Sequence, residues 1–286
     1  ALAFAKDKRI IVPTMNTRMY ENELTLENIE KMRQHGWHVL EPESGHLACG
    51  DVGKGRYPEN EKILEFLKII MSEKLLKNKK VLVTAGPTQE ELDPVRYISN
   101  HSSGKMGYAI AQAAKRFGAE VCLVTGPTCL TFPYFVDEVV LVRSAKQMYD
   151  TVLEKKEDYD ILIMCAAVAD YAPKMVSKEK IKKTNDNLTI ELEKTPDILY
   201  SIGMSKREHQ FVVGFAAETE NVVENAFEKL RRKNADLIVA NDARLAMGSD
   251  TNSVYLIFKN KAMVQLDGTK EEIAEELLKR ICKELS

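Results

Sequence analysis

The chain has 286 residues, 44% of them hydrophobic and 29% charged, and a formal net charge of −2. That length can bury one large core or two modest ones, and the charge gives no whole-chain basic field, so nucleic acid is not the default partner. No apolar run reaches the roughly 18 residues of a membrane span, and the opening ALAFAKDKRI lacks the long apolar core of a signal peptide. The five cysteines (Cys49, Cys122, Cys129, Cys165, Cys282) are scattered, with no CxxC pair. They point to a reducing compartment rather than a disulfide framework or a zinc site, and to the cytoplasm as the location.

In chain order, RIIVPTM (9–15) predicts a buried strand with almost nothing before it. A helix is expected over 25–35, a second strand over WHVLEP (37–42), and then a glycine-rich loop, ESGHLACGDVGKGRYPE. Apolar residues at helical spacing predict a helix over 59–76. This reads as half an α/β domain entered in the middle. The polar run KNKK (77–80) marks the boundary, dividing the chain into 1–76 and 77–286.

Beyond it, strands and helices alternate with short connections, which predicts a doubly wound, mostly parallel sheet covered on both faces. Strands are expected at 80–86, 120–126, 137–143, 160–168, 211–218 and 236–241, with helices at 104–117, 145–157, 197–204 and 221–234. NSVYLIFKNKAMVQLDG predicts a hairpin around Lys259-Asn260-Lys261, followed by a last helix at 270–284. Residues 172–195 are too long for a plain connection. They alternate like a hairpin and carry Lys174, Lys178, Lys180, Lys182, Lys183 and Lys194, forming a lysine-rich flap.

In open α/β sheets ligands sit beyond the carboxyl ends of the strands. Those ends read TAGPT, TGPT, CAAVADY, GFAAET and ANDA, with Asp170, Glu218, Asn241 and Asp242 as polar candidates. Before the helix at 104, Ser102, Ser103 and Gly104 form either an anion site at a helix N-terminus or an ordinary N-cap with a glycine turn. The P-loop spacing and GxGxxG are both missing. Lys229 and Lys233 share a helix face. They are either a solvated basic surface with Arg231 and Arg232 or two cations aimed at a polyphosphate. Three sources of phosphate-binding groups around one sheet favour a nucleotide. Asp170 suits a ribose hydroxyl, a metal ion or a capping role equally well.

The stretches TAGPTQEELDPVRYISNHSSGKMG, CAAVADY, KEKIKK, KTPDIL, VGFAAET and KNADLIVAND together closely resemble phosphopantothenate–cysteine ligase. In bacteria this is the second half of a bifunctional coenzyme A biosynthesis protein. PTMNTRMYEN and ESGHLACGDVGKGR resemble C-terminal motifs of the first half, a flavin-dependent, flavodoxin-like decarboxylase that uses FMN. The resemblance implies a Rossmann-like ligase domain and a two-step reaction. The carboxylate of 4′-phosphopantothenate attacks the α-phosphorus of CTP, with Mg²⁺, and cysteine then displaces CMP from the acyl-cytidylate. Asn100 matches an asparagine that contacts the acyl group, Arg96 a residue of the second half-reaction, and Lys180 a flap lysine that helps form the cytidylate. Arg96 as a loop brace and Lys180 as a surface lysine stay open. For CTP the matching positions are Cys165, Ala166, Asp170, Lys180, Pro196, Asp197, Ile198, Leu199, Phe215, Lys229 and Lys233. Backbone groups at 165–166 are expected to read the cytosine edge, and Phe215 to cover its face.

In the decarboxylase part, Asn16 matches an asparagine that contacts a substrate carboxyl group and Cys49 a proton-donating cysteine. The family's catalytic histidine and most flavin contacts precede Pro13, so this half is expected to be incomplete here. No metal ligands are assigned. The expected partners are phosphopantothenate, cysteine, CTP and a second copy of the chain through the ligase domain, with a higher oligomer when the decarboxylase half is complete. Neither nucleic acid nor a membrane is expected. Two alternatives stand beside this reading: an ATP-using ligase of the same family, and a non-catalytic subunit that completes a partner's flavin site.

Overall fold

The run Lys80–Ala85 (β5 below) is apolar on both faces, as a strand covered on two sides must be. In the computed structural model it lies near the middle of an eight-stranded sheet. The structure describes residues 8–183, 187–242 and 250–285. Two compact units emerge, Ala1–Glu73 and Lys74–Ser286. The division falls a few residues before KNKK because Leu76, 1% exposed, already belongs to the second unit's core.

The first unit contains β1 (Ile10–Ile11), α1 (Thr17–Tyr20), α2 (Glu23–Gln34), β2 (His38–Val39), β3 (Glu43–His46), β4 (Val52–Arg56) and α3 (Asn60–Met71). Strands β1 and β2 pair in parallel. The glycine-rich segment expected as a loop is instead the antiparallel hairpin β3–β4.

The second unit runs β5 (Lys80–Ala85), β6 (Gln89–Glu91), β7 (Tyr97–Ser99), α4 (Lys105–Arg116), β8 (Glu120–Thr125), β9 (Glu138–Leu141), α5 (Ala145–Lys155) and β10 (Ile161–Met164). It continues with β11 (Tyr171–Pro173), β12 (Leu192–Lys194), α6 (Ile198–Ser205), β13 (Phe211–Glu218), α7 (Val222–Arg232), β14 (Leu237–Asp242), β15 (Thr251–Phe258), β16 (Met263–Thr269) and α8 (Lys270–Leu285). The sheet order is β16-β15-β14-β13-β10-β5-β8-β9, parallel from β14 to β9 and antiparallel at β15 and β16. Numbered along the chain, the six parallel strands lie in the order 3-2-1-4-5-6, so the winding reverses between β5 and β10.

Helices α4 and α8 cover one face, packing Ile110, Ala114, Leu277 and Ile281 on Val81 and Val83. Helices α5, α6 and α7 cover the other, with Met148, Ile202 and Leu230 around Leu82 and Leu162. Gly104 begins α4 in the left-handed region, at φ 78°. At Gly107 a Cβ would stand 2.6 Å from that of Ala85. Glycine therefore lets α4 lie directly on β5. No helix among the described residues is long and apolar enough to cross a membrane.

Candidate active site

A cleft of about 990 Å³ opens at the switch point, beyond the carboxyl ends of β5, β10 and β13. Thr84, Met164, Ala166 and Phe215 come to it from the strand ends, and Asp170 and Tyr171 from the segment after β10. Pro196, Asp197, Ile198 and Leu199 arrive at the start of α6, and Lys229, Arg232 and Lys233 from the α7 region.

Buried hydroxyls fix the loop between β10 and β11. Thr84 Oγ1, on a residue 1% exposed, accepts the N–H groups of Cys165 at 3.1 Å and Ala166 at 3.2 Å. Thr88 Oγ1 accepts the Ala169 N–H at 3.0 Å, and Thr195 Oγ1 donates to the Ala169 carbonyl at 2.6 Å. Asn100 Nδ2 donates to the carbonyls of Ala167 at 3.2 Å and Val168 at 3.1 Å. The asparagine amide is thus held against the strand-end loop whose Ala166 and Val168 line the cleft. In this arrangement the 165 and 166 N–H groups are given to Thr84 Oγ1. Cys165 itself is outside the lining, and burial pushes its thiol up to about 12, which removes it as a nucleophile.

Lys229 is half-buried and its Nζ donates to the Phe215 carbonyl at 2.8 Å. Burial lowers its pKa, against the attraction of Glu218 and Asp170. Lys233 is 9% exposed, ion-paired with Asp197, and stands 5.9 Å over the Tyr200 ring. Burial lowers its pKa too, against the pull of Asp170. Asp197 Oδ1 accepts the Tyr200 N–H at 2.9 Å and caps α6. Neither lysine belongs to a solvated face, while Arg231 and Arg232 are exposed. The lining holds five cations (Lys194, Lys229, Arg231, Arg232, Lys233) against four carboxylates (Asp170, Asp197, Glu218, Glu228). Asn225 donates to Glu218 at 3.1 Å.

The remaining sequence candidates lie in other places. Ser102, Ser103 and Gly104 stand at the start of α4, where Ser102 Oγ accepts the Gly104 N–H at 3.3 Å and no side chain caps the helix. Arg96 pairs with Asp93, and Lys180 is exposed on the flap outside the cleft lining. Asn241 Nδ2 reaches Asn252 at 3.4 Å, whereas the side chain of Asp242 lies outside the described part of the structure. Among the described residues the flap is a hairpin at its base, where Tyr171–Pro173 pairs with Leu192–Lys194. Leu188 and Ile190, expected to extend the ladder, are in no strand and are exposed. In the first unit, Asn16 caps α1 and its Nδ2 donates to Cys49 Sγ at 3.1 Å and Asp51 Oδ2 at 2.9 Å. Asp51 joins the two sequence candidates there. Among the described residues no three His, Cys, Asp or Glu side chains group as a metal site.

Sequence reasoning passed over Thr84, Thr195 and Glu228 in the cleft, and Asp93 beside Arg96, while Lys194 is the one flap lysine it named that lines the cleft. A threonine inside the apolar run VLVTA was the available signal for Thr84. Glu228 stands four residues before Arg232, on the helix face that carries the cations.

A 3-2-1-4-5-6 sheet with its cleft at the reversal defines the doubly wound class of α/β protein, whose members hold nucleotides there. The chain belongs to the DNA/pantothenate metabolism flavoprotein family, whose C-terminal domain matches residues 76–285; the Flavoprotein family matches residues 1–72. The coenzyme A biosynthesis bifunctional protein CoaBC of Vibrio vulnificus (strain YJ016) is 43% identical over 286 residues, covering 98% of this chain and 71% of that protein. The protein of the same name from Bacillus subtilis (strain 168) is 45% identical over 269 residues, covering 92% of this chain and 64% of its own length. The crystal structure of a CoaBC C-terminal domain superposes with a TM-score of 0.65 at 46% identity, covering 74% of this chain and 98% of that one.

Proposed function

We propose that the second unit is a phosphopantothenate–cysteine ligase that uses CTP. The observation that carries this reading is the convergence of Ala166, Asp170, Pro196–Leu199, Phe215, Lys229 and Lys233 on one cleft from four separate stretches of sequence. The names of the relatives support the pathway, and the resemblance of the motifs supports the nucleotide.

A carboxylate is a poor acyl donor until one of its oxygens belongs to a good leaving group. In the first step a phosphopantothenate carboxylate oxygen bonds to the α-phosphorus of CTP, the bond to the bridging oxygen breaks, and pyrophosphate leaves. Lys229 and Lys233 offset the charge that builds on the phosphates. Asp197 already compensates part of the Lys233 charge, and Glu218 and Asp170 attract Lys229. Phe215 supplies an apolar ring for the cytosine, and Lys180 approaches the phosphates from the flap. In the second step the cysteine amine attacks the acyl carbon, the C–O bond to CMP breaks, and the amine proton is lost. The uncharged Asn100 amide gives its two N–H groups to the Ala167 and Val168 carbonyls, so it would reach the acyl oxygen by exchanging one of these bonds for it, without adding a charge of its own.

Magnesium fits as an ion carried by the triphosphate. The cleft offers single carboxylates such as Asp170 and Glu228 rather than a cage, and Mg²⁺ keeps phosphate and water ligands readily. For the first unit, the grouped Asn16 amide, Cys49 thiol and Asp51 carboxylate suit a small polar substrate end rather than a flavin ring, so no step through FMN is derived. We place a homodimer in the same proposal, since the flap's Met175, Leu188 and Ile190 are exposed apolar residues that a second copy would cover.

Pyrophosphate release tests the ligase reading. It is expected to require both phosphopantothenate and CTP; binding of CTP with no release under any combination would contradict it.

A further inference from the structure

The flap meets the rest of its unit again beyond its own hairpin. There Asp93, 1% exposed, gathers donors from two segments. Its Oδ1 accepts the N–H groups of Val95 at 2.8 Å and Arg96 at 2.9 Å, closing a tight turn in LDPVRY. Its Oδ2 accepts Arg96 Nε at 3.0 Å and, from the flap, the Ile181 N–H at 3.1 Å. The guanidinium completes the circuit, because Arg96 Nη2 also bonds Asp93 and donates to the Ile181 carbonyl at 2.8 Å. Nearby, the Ser177 N–H donates to the Leu92 carbonyl at 3.0 Å. Both backbone groups of Ile181 are therefore held by one ion pair, and Ile181 directly follows Lys180.

We infer that Asp93 is a positioning residue for the ligation: with Arg96 it latches flap residues 177–181 to the 92–96 turn and so sets where Lys180 stands. The assignment rests on the ligase reading only for what Lys180 does once placed. It gives Arg96 a task besides any contact with substrate, because in this arrangement its Nε and Nη2 serve the latch. A buried carboxylate with this set of donors suits a fixed anchor: the charge-assisted bonds are strong, and the ion pair supplies the compensation that a buried carboxylate needs. The Arg96 guanidinium holds the carboxyl of Asp93 well below the usual carboxylate range, so the anchor is ionised at neutral pH.

The test uses Asp93→Asn, which keeps the size of the side chain and replaces the charge with an amide, and Arg96→Lys, which keeps the cation and loses the fork. Trypsin reads the latch directly at Lys178, Lys180, Lys182 and Lys183 in the substrate-free chain. Nicking is expected to quicken by about tenfold or more in both variants while the thermal midpoint of the sheet changes little. Equal nicking in wild type and both variants would overturn the latch. If Asp93→Asn does not fold, Arg96→Lys alone carries this comparison.

Single-turnover pyrophosphate release then reads the positioning. Asp93→Asn is expected to slow it about tenfold with less than a twofold change in the KM for CTP. In a Lys180→Ala background the same substitution is expected to cost nothing further. Losses that multiply in the double variant would overturn the coupling to Lys180. A wild type that releases no pyrophosphate would defeat the ligase reading, with the trypsin comparison still deciding the latch.

Discussion

The cleft and the flap carry candidate residues of the same chemical kinds, yet they are held in opposite ways. Around the cleft, the strand-end loop is fixed by the hydroxyls of Thr84, Thr88 and Thr195 and by the Asn100 amide. Four of the five cations there belong to α7 or to its C-terminal cap, on a helix packed on the sheet, and Lys194 comes from the base of the flap. The flap has a three-residue ladder at its base, the Lys174–Glu191 pair and the Asp93 latch, with Met175 86% exposed beside them. In the proposed function a nucleotide meets a site that is already formed, whereas the placement of Lys180 depends on a few bonds from the flap to Asp93, Arg96 and the Leu92 carbonyl. Preorganised groups cost no rearrangement at the moment of reaction. Loosely anchored ones are the natural place for a step to be gated.

The sharpest way to break the fixed half is Asn100→Asp. It would set a carboxylate 3.1 to 3.2 Å from two carbonyl oxygens and remove the amide donor. Loss of about 3 kcal/mol of transition-state stabilisation is expected, about 100-fold in kcat, with CTP affinity little changed; steady-state ligation against CTP titration checks both. Thr84→Val comes next. It leaves the Cys165 and Ala166 N–H groups without their acceptor, at a cost of about 1–3 kcal/mol of unfolding free energy, read from the shift of the urea midpoint. Thr84→Ser should restore most of it.

Smaller effects are expected from Lys229→Gln and Lys233→Gln, each weakening CTP by about tenfold, or about 1.4 kcal/mol, and phosphopantothenate far less. Because Lys233→Gln frees the Asp197 carboxylate, adding Asp197→Asn should recover part of the CTP affinity. Calorimetric titration of the double variant measures that recovery. The smallest effect concerns pH and the flap side. The ion pair with Arg96 lowers the pKa of Asp93. Its contribution to stability is therefore complete above the ordinary carboxylate range and is lost as pH falls towards the lowered value. Between pH 6 and pH 3.5 the urea midpoint of the wild type should drop more than that of Asp93→Asn. Parallel curves would mean that Asp93 carries no charge-dependent contribution.

The sequence made the sheet legible because strands buried on both faces are unbroken apolar runs; FVVGFAAE is β13 residue for residue. Short exposed hairpins carried no such signal. Strands β3–β4 read ESGH and VGKGR, with Val52 their one large apolar residue, and QEE pairs with YIS without an apolar run. Residues 172–195 alternate like a hairpin, yet within LTIEL only Leu192 pairs, and Leu188 and Ile190 find nothing to cover them within the described chain. The cleft was legible where residues sit at strand ends, such as Ala166, Asp170 and Phe215. The bonds that hold it were not. Thr84 and Asp93 act through partners 81 and 88 residues away, a separation that local pattern does not encode.

The proposed ligase makes an acyl-cytidylate before cysteine enters. The most direct measurement is ³¹P NMR and mass spectrometry of the protein incubated with CTP, Mg²⁺ and phosphopantothenate, with cysteine left out. The account predicts a phosphopantothenoyl–CMP species, close to one per cleft, that disappears with release of CMP when cysteine is added. No such species with CTP, or one formed with ATP in its place, would contradict it.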